Sequence, residues 1–300
     1  MSVDSLVRRG LVERDVPLGP HTTYKSGGPA RYLAVAGDEG ALRAIAESGA
    51  ARHMPVLVLG RGSNLVVSDR GFPGLVIRLE GDFREVKFDE GAVSAGGATP
   101  LPRLARAAVD RGRSGLEFFV GIPGSVGGAV RQNAGCFGSE TKDVLRESFL
   151  FDLADGASSV VDPVSLGHSY RHSNLTSTQV VTRATFGAPA GPAGPARDKL
   201  REITRWRRDH QPGGTLNAGS VFKNPEGETA GEIIDRLGLK GTSRGDVSVS
   251  TKHANFFVAG PDATSADILV LVEVVKDRVF EATGTMLVPE IQFVGFDEWP

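Results

Sequence analysis

The sequence has little of three features that mark large classes of protein. It has one cysteine in 300 residues, Cys136, which excludes a framework of internal disulfide bonds. Its 34 basic and 36 acidic residues leave a net charge of −2, which suggests no nucleic-acid or membrane-surface partner. No apolar run approaches the roughly 18–20 residues that a membrane span needs. We therefore expect a soluble cytoplasmic protein.

Two common nucleotide-binding motifs are also missing. No Gly-Lys-Ser/Thr occurs, which excludes a P-loop, and GRGSNL (60–65) has Leu65 where G-x-G-x-x-G needs its third glycine. Glycine itself is abundant, at 39 residues, nearly twice the usual ~7%. Most of these glycines fall in short clusters between apolar runs. This distribution indicates tight backbone turns inside folded domains.

Two glycine-rich segments are candidates for phosphate binding. GRGSN (60–64) follows an apolar run typical of a buried strand, and GIPGSVGGAVRQNAG (121–135) carries five glycines in fifteen residues. Glycine lacks the Cβ that keeps a ligand away from the backbone, so successive amides can converge on a phosphate. A compact series of turns is the alternative for either segment alone. The presence of two favours phosphate binding.

The order of apolar patterns predicts a glycine-rich α/β portion followed by an α+β portion. A Pro- and Gly-rich stretch at 187–198 predicts a linker between them. The long helix expected at 264–284 has Thr264 or Asp262 as its cap and Gly284 as its stop. Other predicted elements include strands at 30–37, 54–60 and 253–260, helices at 37–52, 101–112 and about 229–238, two short strands within 65–79, several strands within 144–187, and a final strand at 286–296.

Several polar residues are ordinary when considered alone. His168 and His172 have a spacing that can place two metal ligands on one helix face, but a third ligand is missing and serines beside them suggest a loop. We predict no metal site, and expect Cys136 to pack as a small apolar residue. Considered alone, Arg171 is interpreted as a solvated surface charge and Ser220 as a turn residue. Glu290 is unusual because it interrupts an apolar strand after Pro289.

Five segments together resemble one family. GRGSNLVV, GIPGSVGGAVRQNAG, SYRHS, NAGSVFKNP and LVPEI occur in the order and spacing of the UDP-N-acetylenolpyruvoylglucosamine reductase (MurB) family, from about Tyr24 to about Phe293. The resemblance implies an α+β protein with the FAD-binding fold of the vanillyl-alcohol-oxidase (PCMH) type. That fold has two α/β FAD-binding subdomains, here 1–80 and 81–197 with an FAD-binding region of about 27–188, and a C-terminal α+β substrate domain, 198–300.

The resemblance also implies an activity. Members of this family hold FAD non-covalently and use NADPH as the hydride donor. They convert UDP-N-acetylglucosamine enolpyruvate to UDP-N-acetylmuramate, an activity called UDP-N-acetylmuramate dehydrogenase. The reaction belongs to peptidoglycan precursor synthesis in the cytoplasm, and so to cell-wall biogenesis, cell shape and cell division. We expect small-molecule substrates only, and a monomer or weak oligomer.

By the same resemblance, the two glycine-rich segments surround the diphosphate of FAD. The implied contacts are Arg61, Gly62, Ser63 and Asn64 in the first segment, and Gly121, Ile122, Pro123, Gly124, Ser125, Gly127, Gly128, Ala129 and Asn133 in the second. The chain departs from the family pattern at Arg131 and Gln132, where we expect an apolar or amide-bearing pair, often Tyr-Met.

The resemblance assigns catalytic roles to three residues. Arg171 binds the substrate carboxylate, Ser220 donates a proton to C2, and Glu290, if protonated, hydrogen-bonds the enolate-like intermediate. A serine needs no partner base for this task, because the carbanion-like centre is itself a strong base. Implied substrate contacts are Tyr170, Lys223 and Asn224. The chain lacks the inserted segment that supplies a tyrosine in longer members, so it resembles the shorter type.

Two other functions fit part of the pattern. An FAD-dependent alcohol oxidase of the same fold would keep both glycine-rich segments without needing Ser220, Arg171 and Glu290. A non-catalytic flavin or UDP-sugar binding protein would bind the nucleotide sugar but oxidise no NADPH. A covalent flavin adduct favours the first alternative, and substrate-dependent NADPH oxidation excludes the second.

Overall fold

The computed structural model describes residues 2–296. The chain forms two compact units, and neither is contiguous in sequence. The first unit comprises the described residues up to Val16, Arg31–Arg61 and Pro73–Trp206. The second comprises Pro17–Ala30, Gly62–Phe72 and the described residues from Arg207 onward. The boundaries predicted at residues 80 and 197 do not anticipate this interleaving, and the three-domain division remains a prediction.

Helices and strands are mixed throughout the described chain. The helices are α1 (Val3–Arg8), α2 (Glu39–Glu47), α3 (Leu101–Asp110), α4 (Val126–Gln132), α5 (Thr141–Val144), α6 (Ala193–His210), α7 (Ala230–Arg236) and α8 (Ser265–Thr283). The strands are β1 (Val12–Pro17), β2 (Pro29–Ala36), β3 (Val56–Val58), β4 (Leu65–Val67), β5 (Phe72–Leu79), β6 (Val86–Asp89), β7 (Ala92–Gly96), β8 (Gly135–Cys136), β9 (Ser139–Glu140), β10 (Leu145–Asp152), β11 (Ser158–Val161), β12 (Gln179–Gly187), β13 (Ser243–Arg244), β14 (Val247–Val249), β15 (Phe257–Ala259) and β16 (Gln292–Val294).

The first unit contains two sheets. One has the order β1-β2-β5-β3, with β3 and β5 parallel, and α2 buries Leu42, Ile45 and Ala46 in the core beside it. The other has the order β11-β10-β12-β7-β6 with antiparallel neighbours. Helices α3 and α4 pack their apolar faces into the core of this second sheet. Both sheets lie almost entirely within the first compact unit.

The second unit has its own core. A sheet of order β13-β14-β15 and the parallel pair β4–β16 pack with helices α7 and α8 around the aromatic side chains of Tyr24, Phe222 and Phe257. Helix α8 begins after Thr264, whose side chain accepts from the Asp267 amide in a capping box. It ends at Gly284, which has a φ of 71°. Both ends follow local sequence signals, and Thr264 is the cap.

Two sequence expectations about elements need correction. Helix α6 begins at Ala193, inside the stretch predicted as a linker (187–198). Pro195 is tolerated there because amides of the first helical turn have no partner within the helix. The final strand is shorter than predicted, so Glu290 precedes β16 rather than interrupting an apolar strand.

No helix within residues 2–296 combines the length and the apolar character that a membrane crossing requires.

Candidate active site

The first glycine-rich segment joins the end of β3 to β4, and the boundary between the two units falls after Arg61. In the first unit, a Cβ on Gly60 would lie 2.7 Å from Ser125 Oγ, and Arg61 Nε donates to the Pro123 carbonyl at 3.1 Å. These contacts bring residues 60–61 against the second glycine-rich segment, as a shared phosphate site requires.

The rest of this segment is held within the second unit. Gly62 has a φ of 61°, and a Cβ there would lie 2.3 Å from the His21 carbonyl oxygen, so only glycine fits. Ser63 is half-buried. The Asn64 side-chain amide donates to the Glu290 carbonyl at 3.1 Å, and its backbone carbonyl accepts from the Gln292 amide. Asn64 therefore fixes the chain that carries Glu290.

The second glycine-rich segment leads into α4. Ser125 caps this helix, its buried hydroxyl accepting from the Gly128 amide at 3.4 Å. The Gly127 amide donates to the Gly97 carbonyl, whereas the amides of Gly124 and Ser125 donate to no acceptor among residues 2–296. Buried backbone amides normally donate a hydrogen bond to an acceptor. Two consecutive amides left in this way suit a phosphate oxygen.

A cavity of the first unit opens between these residues. It is lined by both glycine-rich segments and by the ends of several strands, including Gly60, Arg61, Arg78, Glu80, Arg84, Gly97, Ser125, Gly127, Gly128, Arg131, Gln179 and Val181. The lining contains four arginines and one glutamate, so the cavity has an excess of positive charge. The chemistry of the lining fits a dinucleotide diphosphate.

The remaining predicted residues of this segment have structural contacts as well. Gly121 lies where a Cβ would come within 2.8 Å of Cys136 Sγ. The Ile122 amide donates to the Phe119 carbonyl, and Ala129 is buried on α4. Cys136 packs at the edge of the second core, and its thiol donates to the Phe118 carbonyl at 3.1 Å.

Arg171 sits in a tight turn of the first unit. Ser169 and His172 pair through their backbones, and Arg171 itself has a φ of 55°, in the left-handed region that disfavours arginine. Its guanidinium donates to the Gly135 carbonyl at 3.1 Å and lies 3.9 Å from Glu140 Oε1. Strained backbone that the surroundings hold in place is a common feature of functional sites.

Two neighbours of Arg171 differ in exposure. Tyr170 is exposed, and its ring centroid lies 4.9 Å from the Arg171 guanidinium carbon. His168 is half-buried, with Nε2 donating to the Val130 carbonyl at 2.7 Å. Because residues 168–172 form this turn, the two histidines do not share a helix face.

Asn133 is fully buried at the C-terminal end of α4, with a φ of 42°. Its side-chain amide donates to Glu140 Oε2 and to the Ser169 carbonyl, both at 3.0 Å, and its oxygen accepts from the Lys142 amide at 3.0 Å. Every side-chain hydrogen of Asn133 is therefore engaged within the protein. The flavin contact predicted for Asn133 stays a prediction.

Ser220 lies in an extended segment of the second unit. It pairs with Phe256, while the Glu290 amide donates to the Val221 carbonyl at 2.7 Å. Ser220 and Glu290 thus lie on neighbouring, hydrogen-bonded segments. The Ser220 hydroxyl is half-buried and forms no hydrogen bond with any of residues 2–296, so its proton remains available.

Asn255 holds the segment that carries Ser220. Its buried side chain accepts from the Phe222 amide at 2.9 Å and donates to the Phe222 carbonyl at 2.8 Å. Its own carbonyl accepts from the Val221 amide. Sequence reasoning missed this residue, although a lone asparagine among the apolar residues of HANFF is the signal that could have found it.

The predicted substrate contacts follow in the same segment. Lys223 is half-buried, and its amide donates to the Val288 carbonyl. Asn224 is exposed, and its side-chain oxygen accepts from the Ala230 amide at the start of α7, at 3.2 Å. Both residues follow Ser220 closely within the second unit.

Comparison with known proteins agrees with this picture. Residues 30–160 match an FAD-binding domain, and residues 211–294 match the C-terminal domain of UDP-N-acetylenolpyruvoylglucosamine reductase. A reductase of that name from Symbiobacterium thermophilum is 40% identical over 292 residues, covering 97% of this chain and 94% of that protein. The chain belongs to the UDP-N-acetylenolpyruvoylglucosamine reductase family. The predicted family and the predicted α+β fold with an FAD-binding domain are confirmed.

Other members of the UDP-N-acetylenolpyruvoylglucosamine reductase family are similarly close. One from Novosphingobium aromaticivorans is 41% identical over 297 residues, covering 98% of each chain. The crystal structure of the Thermus caldophilus member is 39% identical, with a TM-score of 0.82, covering 94% of this chain and 98% of that one. The similarity therefore spans both units.

Proposed function

We propose that the chain is an FAD-containing, NADPH-dependent reductase that converts UDP-N-acetylglucosamine enolpyruvate to UDP-N-acetylmuramate in peptidoglycan precursor synthesis. The observation that carries this proposal is the similarity, at about 40% identity over nearly the whole chain, to reductases of that name. The positively charged cavity between the glycine-rich segments supports the FAD part of the proposal.

The proposed FAD site uses the residues of both glycine-rich segments. The amides of Gly124 and Ser125 offer two donors to the diphosphate, and Arg61 adds a cation. When bound, FAD would supply the hydride chemistry that links NADPH oxidation to reduction of the enolpyruvyl group at C3. C3 is the electrophilic carbon because the alkene is conjugated to a carboxylate.

Addition at C3 shifts negative charge toward C2 and the carboxylate. We assign Arg171 to that carboxylate, because a guanidinium binds two oxygens in a forked geometry and its charge stabilises the developing enolate. Glu290, in its protonated form, donates a hydrogen bond to the same group. Tyr170, Lys223 and Asn224 are the proposed contacts for the remainder of the substrate, including its diphosphate.

Ser220 completes the reaction by donating its hydroxyl proton to C2. The carbon–carbon double bond then becomes a single bond, with the new hydrogens at C3 and C2, and the serine oxygen regains a proton from water. The half-buried, unbonded hydroxyl supports this role, because no protein acceptor among residues 2–296 competes for its proton.

The test separates the two halves of the reaction. Ser220→Ala should leave reduction of the bound flavin by NADPH close to normal, and should slow flavin reoxidation by the enolpyruvyl substrate by about 10²–10⁴-fold, the usual contribution of a positioned acid. Ser243→Ala, at an exposed serine of the same unit, is the matched control and should change neither rate. Rapid-mixing absorbance of the flavin measures both.

Three results would contradict the proposal at different levels. If both half-reactions survive Ser220→Ala, the proton-donor role is wrong. Binding of the nucleotide sugar without NADPH oxidation would favour a non-catalytic binding protein. A covalent flavin adduct together with oxygen-dependent alcohol oxidation would favour an oxidase.

A further inference from the structure

Arg131 occupies the position where the chain departs from the family pattern. It lies in the last turn of α4, the helix whose first turn carries Gly127 and Gly128. Its side chain lines the same cavity of the first unit as those two glycines and Arg61. Arg131 therefore forms part of the wall of the proposed cofactor site.

The charges around this cavity are unevenly paired. Arg78 and Arg84 both form ion pairs with Glu80, at 2.7 Å and 2.5 Å. Arg61 and Arg131 differ from them, because within residues 2–296 neither forms an ion pair. Arg61 and Arg131 thus each add to the cavity a positive charge that no carboxylate within residues 2–296 neutralises.

Arg131 has more donors than its protein contacts use. Its Nη1 donates to the Thr176 carbonyl at 2.9 Å, while a guanidinium carries five N–H donors. Burial lowers the pKa of Arg131, because desolvation penalises the charged form. A partly buried cation in this state is stabilised by an anion that presents several oxygens.

We propose that Arg131 binds the diphosphate of FAD, as a second cation beside Arg61, and so strengthens cofactor binding beyond what the glycine-rich segments supply. The apolar or amide-bearing pair expected at this position would supply no positive charge for that contact. This inference rests on the FAD site of the proposed function, but not on the reductase reaction or on Ser220.

The experiment measures FAD binding by the cofactor-free protein, followed by flavin fluorescence at several salt concentrations. Arg131→Gln should raise the Kd for FAD about 10- to 100-fold, the loss expected for charge-assisted hydrogen bonds, and should weaken its salt dependence. Arg131→Lys should keep most of the affinity, because it keeps the charge. ADP, which carries the diphosphate without the flavin, should compete with FAD less effectively in Arg131→Gln.

Arg106→Gln is the matched control, because Arg106 is exposed on α3 and likewise donates to a backbone carbonyl, that of Pro102. An FAD affinity in Arg131→Gln within about threefold of this control overturns the proposal. Equal losses in Arg131→Gln and Arg131→Lys also overturn it, because charge would then not be the cause. Arg131→Met, which keeps a long side chain without the charge, replaces Arg131→Gln with the same expected loss if Arg131→Gln does not fold. Failure of the unaltered protein to bind FAD would overturn both this inference and the proposed function.

Discussion

Replacing Asn133 distinguishes a flavin contact from a structural role. The family resemblance places this residue beside FAD, but its side chain is fully buried and engaged with Glu140, Ser169 and Lys142. Asn133→Ala removes three hydrogen bonds at once. We therefore expect the free energy of unfolding to fall, whether or not FAD is present.

The magnitude follows from the three groups left behind. A typical hydrogen bond contributes about 0.5–1.5 kcal/mol, and a buried group that loses its partner costs about 1–3 kcal/mol. Since water can reach Glu140 and Lys142 in part, we expect a total loss of about 3–5 kcal/mol. Asn133→Gly should lose less than Asn133→Ala, by about 1 kcal/mol, because the left-handed backbone at a φ of 42° suits glycine.

Urea unfolding of the cofactor-free protein measures this loss. Asn174→Ala is the control, because Asn174 is exposed in the same unit and should lose less than about 0.5 kcal/mol. A stability of Asn133→Ala equal to that of the control, combined with a tenfold weaker FAD affinity, would refute the structural role. That pair of results would instead support the flavin contact.

Two further predictions concern a glycine and a histidine. Gly62→Ala should destabilise the cofactor-free protein by about 2–3 kcal/mol, because the new Cβ would lie 2.3 Å from a backbone carbonyl oxygen. Gly214→Ala is the control: Gly214 has a similar φ and no atom within 4 Å of the position that a Cβ would take, so the substitution should cost only about 1 kcal/mol. Equal losses of unfolding free energy in urea would show that the clash is unimportant. Burial lowers the pKa of His168 in the folded protein below its ordinary value of 6.5. As the pH falls through about 6.5, the imidazole is therefore protonated in the unfolded chain before it is protonated in the folded protein, and the contribution of His168 to the free energy of unfolding declines. His168→Gln should therefore lose less stability than the unaltered protein between about pH 7 and pH 5, and an unchanged pH dependence would contradict that assignment.

The sequence predicted features of the fold that depend on local backbone geometry. Gly62 is one case, because a left-handed turn against a backbone carbonyl admits only glycine. The capping box at Thr264 and the stop at Gly284 are others, since these signals act within a few residues. By contrast, the start of α6 at Ala193 was missed, because a proline in the first helical turn resembles the proline of a linker.

By itself, then, the sequence determined the family, the α+β fold with its FAD-binding domain, and the segments that carry Arg171, Ser220 and Glu290. Only the tertiary structure decided how the polar side chains are used. Asn133 is engaged by Ser169, which lies 36 residues away. Within residues 2–296 Arg131 forms no ion pair, whereas Glu80 pairs with Arg78 and Arg84. Hydrogen-bond and charge partners come from distant parts of the chain, and no local pattern records which of them meet.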